Sequence, residues 1–207
     1  MSFFDFLRSL FSASSSTTEQ PAADWIVIGL GNPGPRYQST RHNVGYLGVD
    51  ALLNGTALVQ RKGLPVQEAR IRIGDQEVSV LRSTTYMNNS GEAIVPIMAE
   101  NGLSPENVII LHDELDLPQG KIRLKKGGNE NGHNGLKSAT ALLGTRDYLR
   151  VRMGISRPPQ GVKVADYVLS PVEDAAVMSM SHTAAEAVKI IISEGLVAAQ
   201  NKIHSRS

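Results

Sequence analysis

Hydrophobic and polar positions follow two different periods along this chain from residue 25 onward. Short apolar or alternating runs predict strands, and apolar residues three or four positions apart predict helices between them. The predicted strands are Trp25–Leu30, Ala69–Ile73, Glu77–Leu81, Asn107–Leu111, Lys121–Leu124 and Leu149–Ile155, and the predicted helices are Val44–Leu53, Ser90–Asn101, Leu136–Leu143 and Glu173–Ile203. This order predicts a single α/β domain, a mixed and twisted β-sheet flanked by helices on both faces.

Residues 1–24 lie outside this pattern, and we expect them to form a flexible N-terminal extension before a domain that spans 25–207. Five apolar residues at helical spacing indicate a short amphipathic helix: Phe3, Phe4, Leu7, Leu10 and Phe11. A Ser/Thr/Ala/Pro-rich linker follows. Asp5 interrupts the apolar stretch, which does not fit a secretory signal. We expect deletion of residues 1–22 to leave activity nearly unchanged.

Composition narrows the classes of protein to which the chain can belong. It has 207 residues, of which 41% are hydrophobic and 20% charged, the proportions of an ordinary globular protein. It has no run of about 18 consecutive apolar residues, so we expect no stable membrane association. Cysteine is absent, which excludes disulfides, thiol nucleophiles and Cys-ligated zinc. A cytoplasmic location is expected, with organelle targeting by residues 1–24 left open.

Basic residues are concentrated between positions 121 and 157, although the net charge of the whole chain is only +1. Nine lysines and arginines fall in this segment, and only Glu130 and Asp147 oppose them. A phosphate-binding surface would show such a local excess. A solvated face whose acids lie elsewhere would have the same composition.

A glycine-rich turn and a histidine follow the first predicted strand. Gly29–Gly34 matches G-x-G-x-x-G, the dinucleotide-binding motif. Pro33 and Pro35 prolong the loop to about residue 42, so no helix begins within the glycines to hold a pyrophosphate. The triplet that ends the loop contains His42, whose imidazole can accept a proton near neutral pH.

A second polar cluster, residues 112–118, follows the apolar strand Asn107–Leu111. Asp113 at the end of this strand could fix the tautomer of His42 and stabilise its charged form. A His–Asp pair without a serine or cysteine nucleophile suits general-base activation of water. The alternative is a metal site built from His42, His112, Asp113 and His133, but no two of these have the short spacing typical of zinc ligands.

Two more loops carry polar side chains. In the first, Asn88 offers both a donor and acceptors, Tyr86 offers a flat apolar face, and Ser90 is predicted to cap the next helix. The second is the glycine-rich segment 125–137, whose backbone N–H groups before a helix suit a phosphate or an oxyanion. The alternative for that segment is a mobile loop capped by Asn134.

Taken in order, these segments resemble the bacterial-type peptidyl-tRNA hydrolase family. The matching motifs are GLGNPGPRYQSTRHNVG at 29–45, TYMNNSG at 85–91, HDELDLPQG at 112–120, GHNGLK at 132–137 and RVRMGI at 150–155. The resemblance runs from Trp25 to about Ile203. It departs from the family pattern at 82–83, where Arg-Ser replaces Lys-Pro, and at 130–131, where Glu130 would weaken tRNA binding.

The resemblance implies an enzyme that hydrolyses the ester between a peptide and the 3′ ribose of tRNA. His42 would be the general base, Asp113 would stabilise its protonated form, and Asn32 would distinguish N-blocked from free aminoacyl groups. The other contacts to the peptide and the 3′ end would be Tyr37, Tyr86, Asn88 and Asn134. The candidates for binding tRNA phosphates are Lys125 and Arg152, with Lys126, Lys137 and Arg150 nearby. The partner would be peptidyl-tRNA and not DNA, bound by a monomer without metal or cofactor.

Two other functions remain as alternatives. A plastid group II intron splicing factor shares the fold of this family and uses it to bind RNA and protein. The presence of Asn32, His42, Asn88 and Asp113 favours hydrolysis over that role. A Rossmann-type oxidoreductase would require a helix that begins within Gly31–Gly34.

Overall fold

The computed structural model describes residues 21–172 and 174–206 of the chain. Within them one sheet is formed by β1 Trp25–Gly29, β2 Val59–Gln60, β3 Val66–Ile73, β4 Gln76–Ser83, β5 Val108–Glu114, β6 Ile122–Lys126 and β7 Leu149–Gly154. The strand order is β2-β3-β4-β1-β5-β7-β6. The four strands β4, β1, β5 and β7 run parallel, and β2–β3, β3–β4 and β6–β7 pair antiparallel.

Helices cover both faces of the sheet, as predicted. They are α1 Val44–Leu53, α2 Gly91–Glu100, α3 Asn134–Leu143, α4 Val164–Val168, α5 Asp174–Glu194 and α6 Leu196–His204. Alternate residues of β1 face opposite ways: Val27 packs with α1, α5 and α6, whereas Ile26 and Ile28 pack with α2 and α3. A central strand that is apolar on both faces therefore creates two cores, and this confirms the mixed-sheet α/β domain.

The carboxyl ends of the parallel strands place several loops at one edge of the sheet. After β1 the chain enters α1 on one face, and after β4 it enters α2 on the other face. Loops that diverge in this way leave a crevice outside the strand ends, where open α/β sheets bind ligands. The segments that carry the sequence motifs begin at this edge.

The structure corrects two predicted helix features. The predicted helix Glu173–Ile203 is interrupted at Gly195, whose φ of 88° no helix residue adopts, so that α5 and α6 are separate. Ser90 precedes α2 but does not cap it, because its hydroxyl donates to the carbonyl of Met87 at 2.8 Å. The first N–H of this helix, that of Gly91, donates instead to Oγ of Ser138 on α3 at 3.0 Å.

The main differences from the predicted strands are an additional edge strand and a longer central strand. The short edge strand β2 was not predicted. The central strand β5 continues three residues beyond the predicted end at Leu111, so His112, Asp113 and Glu114 lie within it. All seven residues of β5 are buried, which places polar side chains in the interior at the edge that carries the loops.

The packed domain begins slightly before Trp25. Ala23 is buried, and its N–H donates to Oδ1 of Asn101 at 2.7 Å. Asp24 accepts a hydrogen bond from the N–H of Glu77 at 2.8 Å. The predicted amphipathic helix within residues 1–24 lies outside the described residues.

Among the described residues, one helix is long and apolar enough to cross a membrane. Ala175–Glu194 has a mean hydropathy of 1.2, although the sequence shows no unbroken apolar run there. In the structure 56% of this stretch is buried, and α5 packs against α1 and the sheet. Such burial is typical of the core helix of a globular domain.

Candidate active site

Asp113 lies at the centre of the site and is hydrogen-bonded to two histidines. The Nδ1 atom of His42 is 2.9 and 3.0 Å from its two carboxylate oxygens, and Nε2 of His133 is 2.8 Å from Oδ1. Because an ionised carboxylate can only accept, both of these ring nitrogens carry a proton. In neutral His42 the basic nitrogen is therefore Nε2.

The electrostatics of the pair set the charge on each partner. Burial by itself lowers the pKa of His42, but the charge of Asp113 and the hydrogen bond to it outweigh burial and raise that pKa above 6.5. Burial acts to raise the pKa of Asp113, and the charges and hydrogen bonds of His42 and His133 hold it well below its usual range. An ionised Asp113 can thus stabilise the imidazolium of His42 whenever His42 takes up a proton.

His133 has a second structural role that the sequence did not indicate. Its Nδ1 accepts hydrogen bonds from the N–H groups of Gly135 and Leu136, at 3.2 and 3.3 Å, so His133 is the N-cap of α3. The interpretation of Asn134 as the cap is wrong, because α3 begins at Asn134, two residues before its predicted start. Since Nδ1 accepts and Nε2 donates, the ring of His133 carries its proton on Nε2.

Three of the four residues considered as metal ligands lie close together. The ligand atoms of His42, Asp113 and His133 are all within 4.8 Å of one another. In the hydrogen-bonded arrangement both imidazole nitrogens that face Asp113 bear protons, so a metal ion would have to displace them. His112 is not one of these three, although its ring centroid is 5.3 Å from that of His133. Its Nδ1 is 2.7 Å from the carbonyl oxygen of Asp113, and burial, followed by the nearby His133, lowers its pKa well below 6.5.

Asn32 is oriented by two hydrogen-bonded neighbours. Its Oδ1 accepts from the N–H of Met87 at 2.8 Å. Its backbone exchanges two hydrogen bonds with the side-chain amide of Asn43, each 2.9 Å long. This bond orients the amide of Asn32, and Nδ2 remains as a donor that can serve a ligand. Asn43 was not predicted as a site residue, although its position beside His42 in the Arg-His-Asn triplet was a signal for it.

A cavity of about 840 Å³ opens beside Asp113. His42, Asp113 and three predicted substrate-binding residues, Asn32, Asn88 and Asn134, line it together. Its lining also includes apolar side chains that the sequence did not indicate, those of Leu115, Val164, Ala165, Val168 and Leu169. One cavity therefore combines a basic nitrogen, amide side chains and apolar surface.

The two predicted tyrosines lie outside the lining of this cavity. Tyr37 and Tyr86 contact each other edge to face, with ring centroids 6.3 Å apart. Tyr86 is 60% exposed, unusual for an aromatic ring without a partner molecule. Along the chain, Tyr37 lies five residues after Asn32, and Tyr86 lies two residues before Asn88.

The glycine-rich loop is fixed to the domain by two arginines. Glu130 accepts two hydrogen bonds from Arg146, at 2.7 and 3.2 Å, which lower the pKa of Glu130 to about 2. Its charge is therefore paired, which opposes the predicted weakening of tRNA binding by this residue. Arg150 donates to the carbonyls of Asn129 and Gly128 at 2.8 and 2.7 Å.

Arg150 cannot serve as one of the predicted phosphate-binding residues, because it is only 1% exposed. The other four are accessible to different degrees: Lys126 and Lys137 are exposed, and Lys125 and Arg152 are partly buried. Lys126 pairs with Glu106 at 2.5 Å, and Arg152 pairs with Glu114 at 2.9 Å. Burial, followed by the positive charges of Arg152 and Arg150, lowers the pKa of Lys125. These four residues form the basic rim.

Comparison with known proteins gives a consistent result over the whole domain. The family model described as peptidyl-tRNA hydrolase matches residues 26–207. Peptidyl-tRNA hydrolase 2 of Corynebacterium glutamicum is 53% identical over 209 residues, covering 100% of this chain and 98% of the relative. The peptidyl-tRNA hydrolase of Cutibacterium acnes is 45% identical over 87% of this chain and 98% of its own length.

A solved structure agrees with the sequence comparison. The crystal structure of peptidyl-tRNA hydrolase from Acinetobacter baumannii superimposes with a TM-score of 0.80 and 33% identity, covering 89% of this chain and 96% of that one. Family model, relatives and fold agree: the chain belongs to the peptidyl-tRNA hydrolase family.

Proposed function

We propose that this protein hydrolyses the ester that joins a peptide to the terminal ribose of tRNA, with His42 as general base. The observation that carries the proposal is the hydrogen bond between His42 and buried Asp113 beside Asn32 and Asn88 in one cavity. The bacterial relatives named as peptidyl-tRNA hydrolases support the substrate class.

The proposed reaction needs no covalent enzyme intermediate. Nε2 of His42 takes a proton from a water molecule as the water oxygen attacks the ester carbonyl. The tetrahedral intermediate collapses with loss of the ribose oxygen, which receives the proton back from His42. Asp113 stabilises the imidazolium between these two steps. General-base assistance of this kind contributes a factor of about 10²–10⁴ in rate.

Side-chain amides are suited to stabilise the charge that develops on the carbonyl oxygen. Asn88, shortly before α2, and Asn134, the first residue of α3, both line the cavity and can donate N–H groups. Loss of one donor to such an oxyanion typically lowers the rate by about 10²–10³.

The orientation of Asn32 explains how an N-blocked substrate would be preferred. Its available group is a donor, which pairs with the carbonyl oxygen of an amide but not with an ammonium. The buried carboxylates that line the same cavity are already paired: Asp113 with His42 and His133, Glu114 with Arg152, and Glu130 with Arg146. A free amino group would therefore lose its hydration without gaining an acceptor.

The remaining assignments concern the tRNA and the assembly. Lys125, Lys126, Lys137 and Arg152, the basic rim, would bind tRNA phosphates without reading sequence. Tyr37 and Tyr86 would contact the 3′ end or the peptide. The enzyme would act in the cytoplasm as a monomer, without metal or cofactor, and residues 1–24 would remain outside the reaction.

The test is release of tRNA from N-acetyl-aminoacyl-tRNA in the presence of a metal chelator. We expect His42→Ala to slow release by about 10²–10⁴-fold. Exposed His182 on α5 provides a matched control, and His182→Ala should retain full activity. Unblocked aminoacyl-tRNA should be spared.

Other results would change the proposal in specific ways. Absence of release by the folded wild-type protein would favour the RNA-binding alternative. Activity that survives in His42→Ala would keep the substrate but reject the mechanism. Loss of activity in chelator would restore the metal alternative.

A further inference from the structure

One cation lies within the lining of the active-site cavity and apart from the basic rim. Among the described residues that line the cavity, Arg157 is the one lysine or arginine. It follows β7, and its side chain is 71% exposed. Its Nε donates to Oδ1 of Asp116 at 2.7 Å, and Nη2 lies 2.5 Å from the same oxygen.

The backbone before Arg157 adopts a conformation that a non-glycine residue rarely takes. Ser156 has a φ of 61°, in the left-handed region. Two hydrogen bonds of 2.9 Å hold it there: its N–H donates to the carbonyl of Leu117, and its Oγ accepts from the N–H of Gln119. The loop after β7 is thus tied to the loop after β5, and this constraint places Arg157 opposite Asp116.

The carboxylate partner of Arg157 is itself held in place. The N–H of Asp116 donates to Oε1 of Glu114 at 3.2 Å, and Oε2 of Glu114 accepts from Arg152 at 2.9 Å. Glu114 is buried, so it links the rim residue Arg152 to the segment that carries Asp116. Asp116 remains 39% exposed, which leaves its ion pair with Arg157 open to solvent.

We propose that Arg157 binds the phosphate of the 3′-terminal nucleotide of the substrate, exchanging Asp116 for that phosphate. The inference rests on the proposed function. The peptide is esterified to the terminal ribose, and the nearest phosphate is attached to the 5′ oxygen of the same ribose. With the ester at His42, this phosphate must lie at the edge of the same cavity, where Arg157 is the lining cation.

The exchange costs little free energy. A solvent-exposed Arg–Asp pair contributes little to stability, so a competing anion can replace the carboxylate. A guanidinium binds a phosphodiester through two parallel hydrogen bonds, the geometry that it also forms with a carboxylate, and each anion carries one negative charge. Every tRNA substrate carries this phosphate. The side chains of the peptide differ between substrates, so they do not place an anion near the ester in every case.

Two small substrates that differ only in this phosphate test the inference. One is the N-acetyl-aminoacyl 3′ ester of adenosine, and the other is the same ester with a 5′-methyl phosphate. We expect Arg157→Gln to raise KM about 5- to 10-fold for the phosphate-bearing ester and to leave KM for the phosphate-free ester unchanged. Asp116→Asn should lower KM for the phosphate-bearing ester, and this gain should vanish in the double variant.

Arg72→Gln is the matched control, because Arg72 is also an exposed arginine paired with a carboxylate. It lies on β3 at the opposite end of the sheet from the cavity, and it should leave both KM values unchanged. A change of the same size for both esters in Arg157→Gln would overturn the inference, because Arg157 would then shape the cavity rather than bind phosphate.

If the wild-type enzyme cleaves the small esters too slowly, N-acetyl-aminoacyl-tRNA replaces them. Arg157→Gln should then reduce the slope of log kcat/KM against log salt concentration by about 0.7–1, the value for one phosphate contact. An unchanged slope would overturn the inference. Absence of release by the wild-type protein would overturn the proposed function itself, whereas release with an unchanged slope would reject only the role of Arg157.

Discussion

At the scale of single residues, the carboxylate of Asp113 joins two histidines that are distant in the chain. His42 lies 71 positions before it and His133 lies 20 positions after it. Both rings donate to the same oxygen, Oδ1, and the centroids of the two rings are 5.0 Å apart. His42, the proposed base, is therefore coupled through Asp113 to a residue that also caps α3.

The first prediction concerns the pH dependence of kcat/KM. In the proposed mechanism only neutral His42 can accept a proton from water, so activity should rise with pH through the pKa of His42, which Asp113 raises above 6.5. Asp113→Asn removes the charge that raises this pKa, so the midpoint should move to lower pH. The plateau should also fall, by about 10²–10⁴-fold.

Steady-state kinetics between pH 5 and 9 measure both effects in one experiment. Glu186→Gln, a change at an exposed carboxylate on α5 that pairs with Arg206, is the control and should keep the wild-type profile. A midpoint that stays in place in Asp113→Asn would mean that another group titrates in the wild-type profile.

At the scale of elements, the glycine-rich loop depends on β7 for its shape. Arg150, on this strand, extends into the interior, and its guanidinium satisfies the carbonyls of Gly128 and Asn129. Gly127 and Gly128 both have positive φ, so this part of the loop is not held by the hydrogen bonds of a helix or a strand. The loop then leads to His133 and the N-terminus of α3.

The second prediction separates this structural role from phosphate binding. Arg150→Met leaves two carbonyls without donors and should lower the free energy of unfolding by about 1–3 kcal/mol, measured by urea denaturation. Lys137→Met, at an exposed position of α3, should change it by less than about 0.5 kcal/mol. If Arg150→Met has the stability of the wild type and a raised KM for tRNA substrates, Arg150 binds phosphate, as the sequence predicted.

At the scale of the whole molecule, buried carboxylates link folding to pH. Glu68 on β3 is 7% exposed and interacts with Ser79, Arg61 and Arg70. Burial acts to raise its pKa, but these partners outweigh burial and lower it below 4.5. The folded pKa is below the unfolded one, so this stabilisation is present above pH 4.5 and is lost as the pH falls through the folded pKa.

The third prediction follows from that sign. Glu68→Gln should lower the free energy of unfolding by about 1–3 kcal/mol at neutral pH, because two arginines lose their charged partner. It should also make stability fall less steeply below pH 4.5. Glu77→Gln, at the ion pair of Arg72 and Glu77 on the same hairpin, is the control. It should change neither the free energy of unfolding at neutral pH nor its slope below pH 4.5. Urea titrations at several pH values measure both effects, and an unchanged acid slope would contradict the assignment.

Much of the fold could be predicted from local pattern alone. The apolar runs of β1 and β5 required a sheet buried on both faces, and Gly74 with Asp75 fixed the hairpin between β3 and β4. The helix break at Gly195 was less visible, because apolar periodicity continues on both sides of it and a helix tolerates an isolated glycine. Only packing of α6 against β6 shows why the chain turns there.

For the site, the sequence by itself determined which chemical groups are available, and it placed His42, Asp113, Asn32 and Asn88 in motifs at strand ends. It could not distinguish Arg150 from Arg152, because residues two apart on a strand share a face. The tertiary structure decided that the glycine-rich loop covers Arg150.

The tertiary structure alone also decided which atoms meet. The proton positions on His133, the orientation of Asn32 by Met87 and Asn43, and the pairing of Arg157 with Asp116 all depend on contacts between separate loops. Periodicity and motifs describe neighbours along the chain, whereas hydrogen bonds form between neighbours in space. The residue types were therefore readable from the sequence, and their partners were set by folding.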